Sequence, residues 1–225
     1  MKDGLCKTSD WQAKEISGKN RVNRKKRYPV DCFKKTFTAI GVKKARLYIT
    51  ACGLYEAKIN GRRVGEFIFA PGSTDYRKRI QYQTYDVTGL VQGGNNSLTV
   101  ELADGWYRGS SGAKGRTNTY GTQTKLFAQL ELYDSDGNVS RICTDKSWAW
   151  SNDGAIEFAD LKDGERVNAN KTPSYGGRAK VVSLTANLTA SNNVQVKERE
   201  RFAPVECITP PTGKTTLKFP QNLTV

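Results

Sequence analysis

The residues best suited to chemistry in this sequence form one short motif, Asp104-Gly105-Trp106-Tyr107-Arg108-Gly109. Aromatic rings bind the C–H faces of sugars, while carboxylate, amide and guanidinium groups read the pattern of their hydroxyls. The glycines let the backbone turn sharply and approach a ligand closely, and a glycine-rich loop at residues 112–121 could close over it. The candidate sugar-contact residues are Asp75, Tyr76, Asp104, Trp106, Tyr107, Arg108, Asn118 and Tyr120.

A structural interpretation of the same motif stays open beside the binding interpretation. Trp106 could close one end of a β-sandwich, and Arg108 could pair with a nearby carboxylate, because most aromatic residues of sandwiches belong to the core. Asp75 lies next to Arg77 and Arg79, which favours an ion pair over acid catalysis.

A cation site is a further possibility, although the sequence has no dense Asp/Asn calcium loop. We therefore expect no cofactor. The candidate oxygen ligands are Asp75, Asp104, Asn152 and Asp153.

Several catalytic classes are excluded by composition. The chain has 225 residues and no histidine, which removes Ser-His-Asp, Cys-His and H-E-x-x-H chemistry. Five cysteines without a C-x-x-C pair argue against a zinc site and against a complete disulfide framework. Cys52 and Cys143 lie in strand-like runs, so we expect buried thiols there. No acid pair stands in a recognisable hydrolase motif, and we assign no catalytic residue.

The net charge of +14 raises the question of a nucleic-acid partner. Bases concentrate in residues 19–35 and in Arg77-Lys78-Arg79. No RNA-binding aromatic motif, zinc finger or recognition-helix pattern accompanies them, so we interpret the first cluster as a solvated loop and do not expect nucleic acid as a partner. No apolar run approaches the length of a membrane span, and the start has no signal-peptide core. We expect a cytoplasmic protein, or an exported one if a leader was removed, and no membrane partner.

Period-two alternation dominates the pattern of apolar residues, as in Ala45, Leu47, Ile49 and Ala51. Asn60-Gly61 is a strong hairpin signal, and one helical turn is predicted near residues 86–90 with Asp86 as its N-cap. The fold class is therefore all-β: an antiparallel, jelly-roll-like β-sandwich with under roughly 10% helix. We divide the chain into a basic N-terminal segment (1–36), the sandwich (37–202) and a Pro-rich start of a further β module (203–225).

Several motifs in order resemble the N-terminal β-sandwich region of bacterial α-L-rhamnosidases, from about Trp11 to Val225. They are Gly53-Leu54-Tyr55, Asn60-Gly61, Ala70-Pro71-Gly72, Thr74-Asp75-Tyr76, the run from Tyr82 to Thr88, and the motif at residues 104–109. The run Phe219-Pro220-Gln221-Asn222 is similar to the family's Phe-Gly-Gln-Asn, with Pro220 in place of Gly. Asp163-Gly164-Glu165 also resembles the family's Asp/Asn-Gly-Glu motif. The Tyr-Asp-Ala-Arg that follows this motif in the family is replaced here by Val167-Asn168-Ala169-Asn170.

The resemblance implies that the catalytic (α/α)-barrel of the parent α-L-rhamnosidase lies downstream of this chain. It implies that both termini belong to a partial second β segment. Some related modules resemble calcium-dependent rhamnose binders, which makes calcium the one metal to consider, with the oxygen ligands named above. We therefore expect a non-catalytic carbohydrate-binding or substrate-positioning module, with a rhamnose-containing glycan and the barrel as partners. A purely structural docking module is the alternative, and a nucleic-acid-binding protein is a weaker one.

Overall fold

The structure is a computed structural model that describes residues 5, 8–20, 23, 27–183, 187–192 and 194–222. Its regular elements are almost all strands. They are β1 (Ile16–Ser17), β2 (Asp31–Ala39), β3 (Lys44–Cys52), β4 (Leu54–Ile59), β5 (Arg62–Arg63), β6 (Arg79–Asp86), β7 (Gly94–Ala103), β8 (Lys125–Tyr133), β9 (Val139–Cys143), β10 (Ala149–Ser151), β11 (Ile156–Asp160), β12 (Gly164–Val167), β13 (Gly177–Arg178), β14 (Lys180–Val181), β15 (Asn187–Ala190), β16 (Glu206–Ile208) and β17 (Thr216–Lys218). The helical elements are α1 (Gly105–Arg108) and two 3₁₀ turns, Thr8–Asp10 and Thr88–Leu90.

Two large sheets form a sandwich. The first has the order β14-β1-β8-β3-β6-β15, with β9 also pairing with β8, and the second has the order β13-β10-β2-β7-β4-β5. Pairing is antiparallel except for β15, which runs parallel to β6. The all-β sandwich predicted from the alternation of apolar residues is thereby confirmed.

The core lies between the inward faces of the two sheets. Leu47 and Ile49 of β3 are fully buried together with Leu130 of β8, and they meet Ile59 and Leu102 from the second sheet in one apolar cluster. Because side chains of a strand alternate between its faces, the period-two pattern of the sequence places these residues inward.

The N-terminal segment, set apart in sequence as residues 1–36, contributes to this sandwich. In β1, Ile16 pairs with Leu126 of β8 and is fully buried, and β2 begins at Asp31. Trp11 covers the outer face of the first sheet, with its ring centroid 4.9 Å from that of Phe127. Burial of apolar side chains is the reason that this segment belongs to the main sheets.

The two termini were expected to share a partial second β segment. In the described residues β1 instead joins the first large sheet, whereas β16 pairs only with β17 in a separate hairpin. The hairpin is exposed along both strands. The residues after the Phe-Pro-Gln-Asn run, 223–225, lie outside the described part of the chain.

Two turn predictions can be compared with the structure. Asn60 and Gly61 both have positive φ, 52° and 79°, as the turn type favoured by Asn-Gly requires. The helical turn near residue 88 is present, but Val87, not Asp86, occupies the position before it. Asp86, the last residue of β6, still accepts hydrogen bonds from the Thr88 N–H (3.0 Å) and the Thr88 hydroxyl (2.7 Å).

The thiols in the two strand-like runs differ in burial. Cys52 is buried and Cys143 is half-buried, while Cys6 lies outside the described residues. Burial raises the pKa of the Cys52 thiol to about 12 and that of Cys143 to about 11. Both side chains are therefore protonated at neutral pH and are poor nucleophiles.

A pair of isoleucines tests the assignment of the core. Ile49 is fully buried, whereas Ile40 is 84% exposed. We expect Ile49→Ala to lower the free energy of unfolding by about 2–5 kcal/mol, because it removes transfer energy and leaves a cavity. The matched Ile40→Ala variant should change it by less than about 0.5 kcal/mol. Urea denaturation measures both, and equal losses would contradict the packing described.

Candidate functional site

The central motif forms α1 where the chain leaves β7. Gly105 has φ +51°, and a Cβ added there would lie 2.5 Å from Leu54 Cγ, so the close passage of these segments requires glycine. Leu54 pairs with Ala103, which anchors the start of α1 to the edge of β4. The local backbone therefore fixes the directions of Trp106, Tyr107 and Arg108.

Asp104 and Arg108 form a buried ion pair within this turn. Arg108 Nε donates to Asp104 Oδ1 at 2.7 Å, and the two side chains are only 7% and 5% exposed. Both groups were candidate sugar-contact residues, but the structure directs them to each other. Their geometry fits the structural interpretation of the motif, in which Arg108 pairs with a nearby carboxylate.

Arg27 joins this pair to a second turn. Its Nε lies 3.4 Å from Asp104 Oδ2, its Nη2 donates to Asp160, and its Nη1 lies 3.4 Å from Asp163 Oδ2. Its guanidinium also lies 5.0 Å from the centre of the Phe158 ring. The interpretation of residues 19–35 as a solvated basic loop is therefore wrong for Arg27, because three carboxylates converge on it. The neighbouring bases Arg21, Arg24, Lys25 and Lys26 lie outside the described residues.

Asp160 is the acceptor at the centre of this network. Its Oδ2 accepts the Ser110 N–H at 2.7 Å, and its Oδ1 accepts the N–H groups of Lys162 (2.9 Å) and Asp163 (3.0 Å). Burial acts to raise the pKa of Asp160, but these N–H groups and Arg27 outweigh it, and the pKa lies below its ordinary value. Asp160 is therefore charged at neutral pH.

Three tyrosines pack together beside α1. The Tyr76 ring centroid is 5.2 Å from that of Tyr107 and 5.1 Å from that of Tyr120. Tyr76 and Tyr107 are buried, whereas Tyr120 is half-buried with the Arg77 guanidinium 5.3 Å from its ring centre. Desolvation raises the pKa of Tyr76 and Tyr107. These two hydroxyls are thus neutral, and their rings are occupied by internal packing.

The loop that follows α1 lies directly on it. The N–H of Asn118 donates to Arg108 O at 2.9 Å, and the N–H of Tyr120 donates to Tyr107 O at 3.2 Å. At Gly121 an added Cβ would lie 2.2 Å from the Tyr107 hydroxyl oxygen, so only glycine permits this approach. The expected loop over the motif is therefore present, but it covers Tyr107 instead of a ligand space.

Trp106 is the one aromatic residue of the motif that stays partly exposed. Its ring meets Phe69 edge to face, with centroids 6.3 Å apart, and Phe69 is 47% exposed. Phe69 also has φ +63°, a strained backbone region for a bulky residue and one that concentrates at functional sites. Phe69 is not among the residues predicted from sequence, where its only signal is its place directly before Ala70-Pro71-Gly72.

Phe69 lines a cavity of about 470 Å³ on the outer face of the second sheet. Apolar side chains, among them Leu54, Ile68 and Leu161, form part of its wall. The polar groups of the wall include Glu56, Glu101 and Arg63.

The carboxylates in this wall are held in ion pairs. Lys58 Nζ lies 3.2 Å from Glu56 and 3.1 Å from Glu101, and Arg63 Nε lies 3.4 Å from Glu56. Glu56 and Glu101 are opposite each other on β4 and β7, so the strand register brings them together. The arrangement supplies fixed hydrogen-bond acceptors to the cavity.

The remaining sequence candidates lie apart, each with a partner in the protein. Arg77 Nε lies 2.9 Å from Asp75, and its hydrogen bond holds the pKa of Asp75 below the ordinary range. Asn152 donates to Asn20 at 2.7 Å. Asp153 accepts the Ser174 N–H at 3.0 Å, and hydrogen bonding to Ser174 lowers its pKa to about 2. In the part of the chain that the structure describes, no three His, Cys, Asp or Glu side chains are grouped for a metal ion.

The same described part contains no helix long and apolar enough to cross a membrane.

The network around Asp160 makes a prediction about pH. Because the folded-state pKa lies below the ordinary value of 3.8, the carboxylate stabilises the fold above that value. This contribution is lost as the pH falls through the lowered pKa. Asp160→Asn should therefore cost about 2 kcal/mol of unfolding free energy at pH 7, and the difference from wild type should shrink below pH 3.8.

Asp136→Asn is the matched control, because Asp136 is exposed in the turn between β8 and β9. Denaturant titrations of the three proteins between pH 7 and pH 3 give the comparison. A deficit for Asp160→Asn that stays constant over this range would contradict the charged network.

Comparisons with known proteins agree with this architecture. Residues 41–201 match the family model described as the α-L-rhamnosidase N-terminal domain. An α-L-rhamnosidase of Streptomyces avermitilis is 49% identical over 144 residues, which cover 61% of this chain and 14% of that protein. One from Formosa agariphila is 35% identical over 181 residues, covering 74% of this chain and 19% of the relative.

Solved structures give the same result. The native α-L-rhamnosidase of Aspergillus terreus superposes with a TM-score of 0.86 at 32% identity, covering 95% of this chain and 26% of that one. The Streptomyces avermitilis enzyme, solved in complex with L-rhamnose, gives a TM-score of 0.78 at 36% identity, covering 85% and 20%. The chain thus spans about a fifth or less of the two curated relatives above. Since the family model matches most of its residues, this chain belongs to the α-L-rhamnosidase N-terminal domain family.

Proposed function

We propose that this chain is a non-catalytic carbohydrate-binding domain that positions substrate for an α-L-rhamnosidase-like glycoside hydrolase. Its ligand is a rhamnose-containing glycan, and it packs against the catalytic barrel of the parent enzyme. The observation that carries the proposal is the partly exposed Trp106–Phe69 pair, whose Phe69 lines the cavity on the second sheet.

The cavity has the size and the chemistry of a sugar site. Its volume of about 470 Å³ lies within the range of small-molecule pockets. Phe69 offers an apolar surface for C–H groups, while Glu56, Glu101 and Arg63 offer charged acceptors and donors for hydroxyls. The Streptomyces avermitilis relative was solved with L-rhamnose, which supports rhamnose as the first sugar to test.

A purely structural docking domain is the second candidate function. The burial of Asp104, Tyr107 and Arg108 favours it, because the polar groups of the central motif are used inside the protein. In that case Trp106 would serve packing alone. The two candidates differ in what the loss of the Trp106 ring does to binding and to stability.

Truncation of Trp106 separates the two candidates. We expect wild type to bind rhamnose or a rhamnoside with a Kd on the order of millimolar, since a monosaccharide offers few apolar contacts. Trp106→Ala should weaken binding at least about tenfold while costing less than about 2 kcal/mol of stability, because the ring is already partly exposed. Calorimetric titration with and without calcium measures the binding.

Phe37→Ala is the matched control, because Phe37 is a partly buried aromatic at the far end of β2, opposite Asn96. It should leave the Kd unchanged. The docking candidate predicts that wild type does not bind rhamnose. It also predicts that Trp106→Ala loses about 3–5 kcal/mol of unfolding free energy.

The chain should leave aryl α-L-rhamnosides intact. Glycoside hydrolysis needs two carboxyl groups facing each other across a cleft, one of them an acid with a raised pKa. The cavity carboxylates Glu56 and Glu101 share an ion pair with Lys58, and Arg63 also pairs with Glu56. Release of nitrophenol from a nitrophenyl rhamnoside measures turnover, and activity that disappears in Glu56→Gln or Glu101→Gln would contradict this expectation.

A further inference from the structure

Two exposed basic segments lie beside the tyrosine cluster formed by Tyr76, Tyr107 and Tyr120. One is Arg77-Lys78-Arg79, which ends the turn before β6 and begins that strand, and the other is the loop at residues 111–121, which contains Lys114 and Arg116. From residue 105 to residue 130 the sequence contains no aspartate or glutamate. No acid in the same stretch of sequence therefore compensates Lys114 and Arg116.

Contacts connect these two segments through Tyr120. The Arg77 guanidinium lies 5.3 Å from the centre of the Tyr120 ring, and Tyr120 closes the loop that holds Lys114 and Arg116. Paired backbone hydrogen bonds of 2.9 Å between Ser111 and Arg116 shape that loop as a small hairpin with Lys114 near its tip. The cations therefore sit on backbone that the protein holds in place.

The nearby acids do not neutralise this surface. Asp75 is bound by Arg77, and Asp163 is bound by Arg27 and by the Ser110 hydroxyl at 2.7 Å. Lys162 lies under the loop, where its Nζ donates to Gly112 O at 2.9 Å. Of the exposed bases in these two segments, Lys78, Arg79, Lys114 and Arg116 have no carboxylate at ion-pair distance within the residues that the structure describes.

We propose that these four bases together with Arg77, here called the basic loop surface, bind an anionic polysaccharide whose sugars carry carboxylate or sulfate groups. The inference rests on the proposed carbohydrate-binding function and names the class of glycan. Several cations at neighbouring positions favour a repeating anionic polymer over a single charged sugar, because each exposed contact contributes little by itself.

Nucleic acid is the other polyanion that such charge attracts, and the geometry disfavours it. Proteins that bind single strands stack bases on open aromatic faces, and readers of duplexes place a helix or ribbon in a groove. Here Tyr76 and Tyr107 are buried, Arg77 covers Tyr120, and α1 is a turn of four residues, three of them buried. The loop cations are thus available for anionic groups, and the tyrosines beside them offer no open face on which bases could stack.

Affinity electrophoresis in gels containing polygalacturonate tests the carboxylate arm, with fully methyl-esterified polygalacturonate as the neutral form of the same backbone. We expect the acid form to retard the protein at least about fivefold more strongly than the esterified form. This difference should decrease as the salt concentration rises, because screening weakens exposed charge pairs. Dextran sulfate against dextran tests the sulfate arm in the same way. Equal retardation by the charged and neutral forms in both arms would overturn the inference.

A charge-matched pair of double variants locates the binding. Lys114→Gln/Arg116→Gln removes two charges from the loop, and we expect it to weaken polygalacturonate binding about fivefold to tenfold. Lys43→Gln/Lys214→Gln removes the same charge from an exposed position before β3 and from the hairpin between β16 and β17. This control variant should keep wild-type affinity. An equal loss of affinity in both double variants would show that diffuse net charge, and not the basic loop surface, binds the polymer.

Two further results have fixed meanings. Tighter binding of duplex DNA than of polygalacturonate at physiological salt would overturn the inference in favour of nucleic acid. The rhamnose titration of Trp106→Ala is scored separately. If the protein binds rhamnose through Trp106 but does not prefer the acid polymer, the proposed function stands and this inference is wrong. If it prefers the acid polymer but does not bind rhamnose, rhamnose is not the ligand and the anionic-polymer surface stands.

Discussion

The end of the sandwich that carries the site depends on one buried charge network. Asp104 and Asp160 are buried carboxylates, and a buried charge is costly unless an opposite charge and hydrogen bonds replace the water it loses. Arg108 pairs with Asp104 inside one turn, and Arg27 reaches both aspartates from the N-terminal segment. The loss of any member would leave an uncompensated charge. The network thus holds α1, the turn after β11 and the N-terminal segment in one arrangement.

This constraint decides which part of the central motif is available to a ligand. The charged residues of the motif satisfy each other, and Tyr107 packs among tyrosines, so the partly exposed Trp106 is what the motif presents outward. A ring fixed by its neighbours loses little conformational freedom on binding, which lowers the entropic cost. The buried ion pair and the binding role are therefore compatible, because the ion pair holds the turn that places Trp106 against Phe69.

The fold was largely predictable from sequence, because alternation and turn residues are local signals. The alternation around Ile49 and the positive φ required at Asn60-Gly61 are both realised. Arg27 and Phe69 were not predictable in the same way. Arg27 meets Asp160 across 133 residues of sequence, and its role depends on which carboxylates the closed fold leaves near it. Phe69 acquires its role from a backbone conformation and from the neighbouring Trp106, neither of which a period-two pattern contains.

The two proposed surfaces meet at α1 and have different physical tasks. Trp106 contacts Phe69, while the next residue, Tyr107, packs against Tyr76. In the same tyrosine cluster, the Tyr120 ring contacts Arg77 of the basic loop surface. Exposed charges act over one Debye length, roughly 8 Å at physiological ionic strength. They therefore raise the rate of encounter with an anionic chain, and this attraction weakens as salt is added. Aromatic contact acts only at van der Waals distance and mainly sets the rate of dissociation. A glycan bound at both surfaces would therefore show an association rate that depends on salt and a dissociation rate that depends on Trp106.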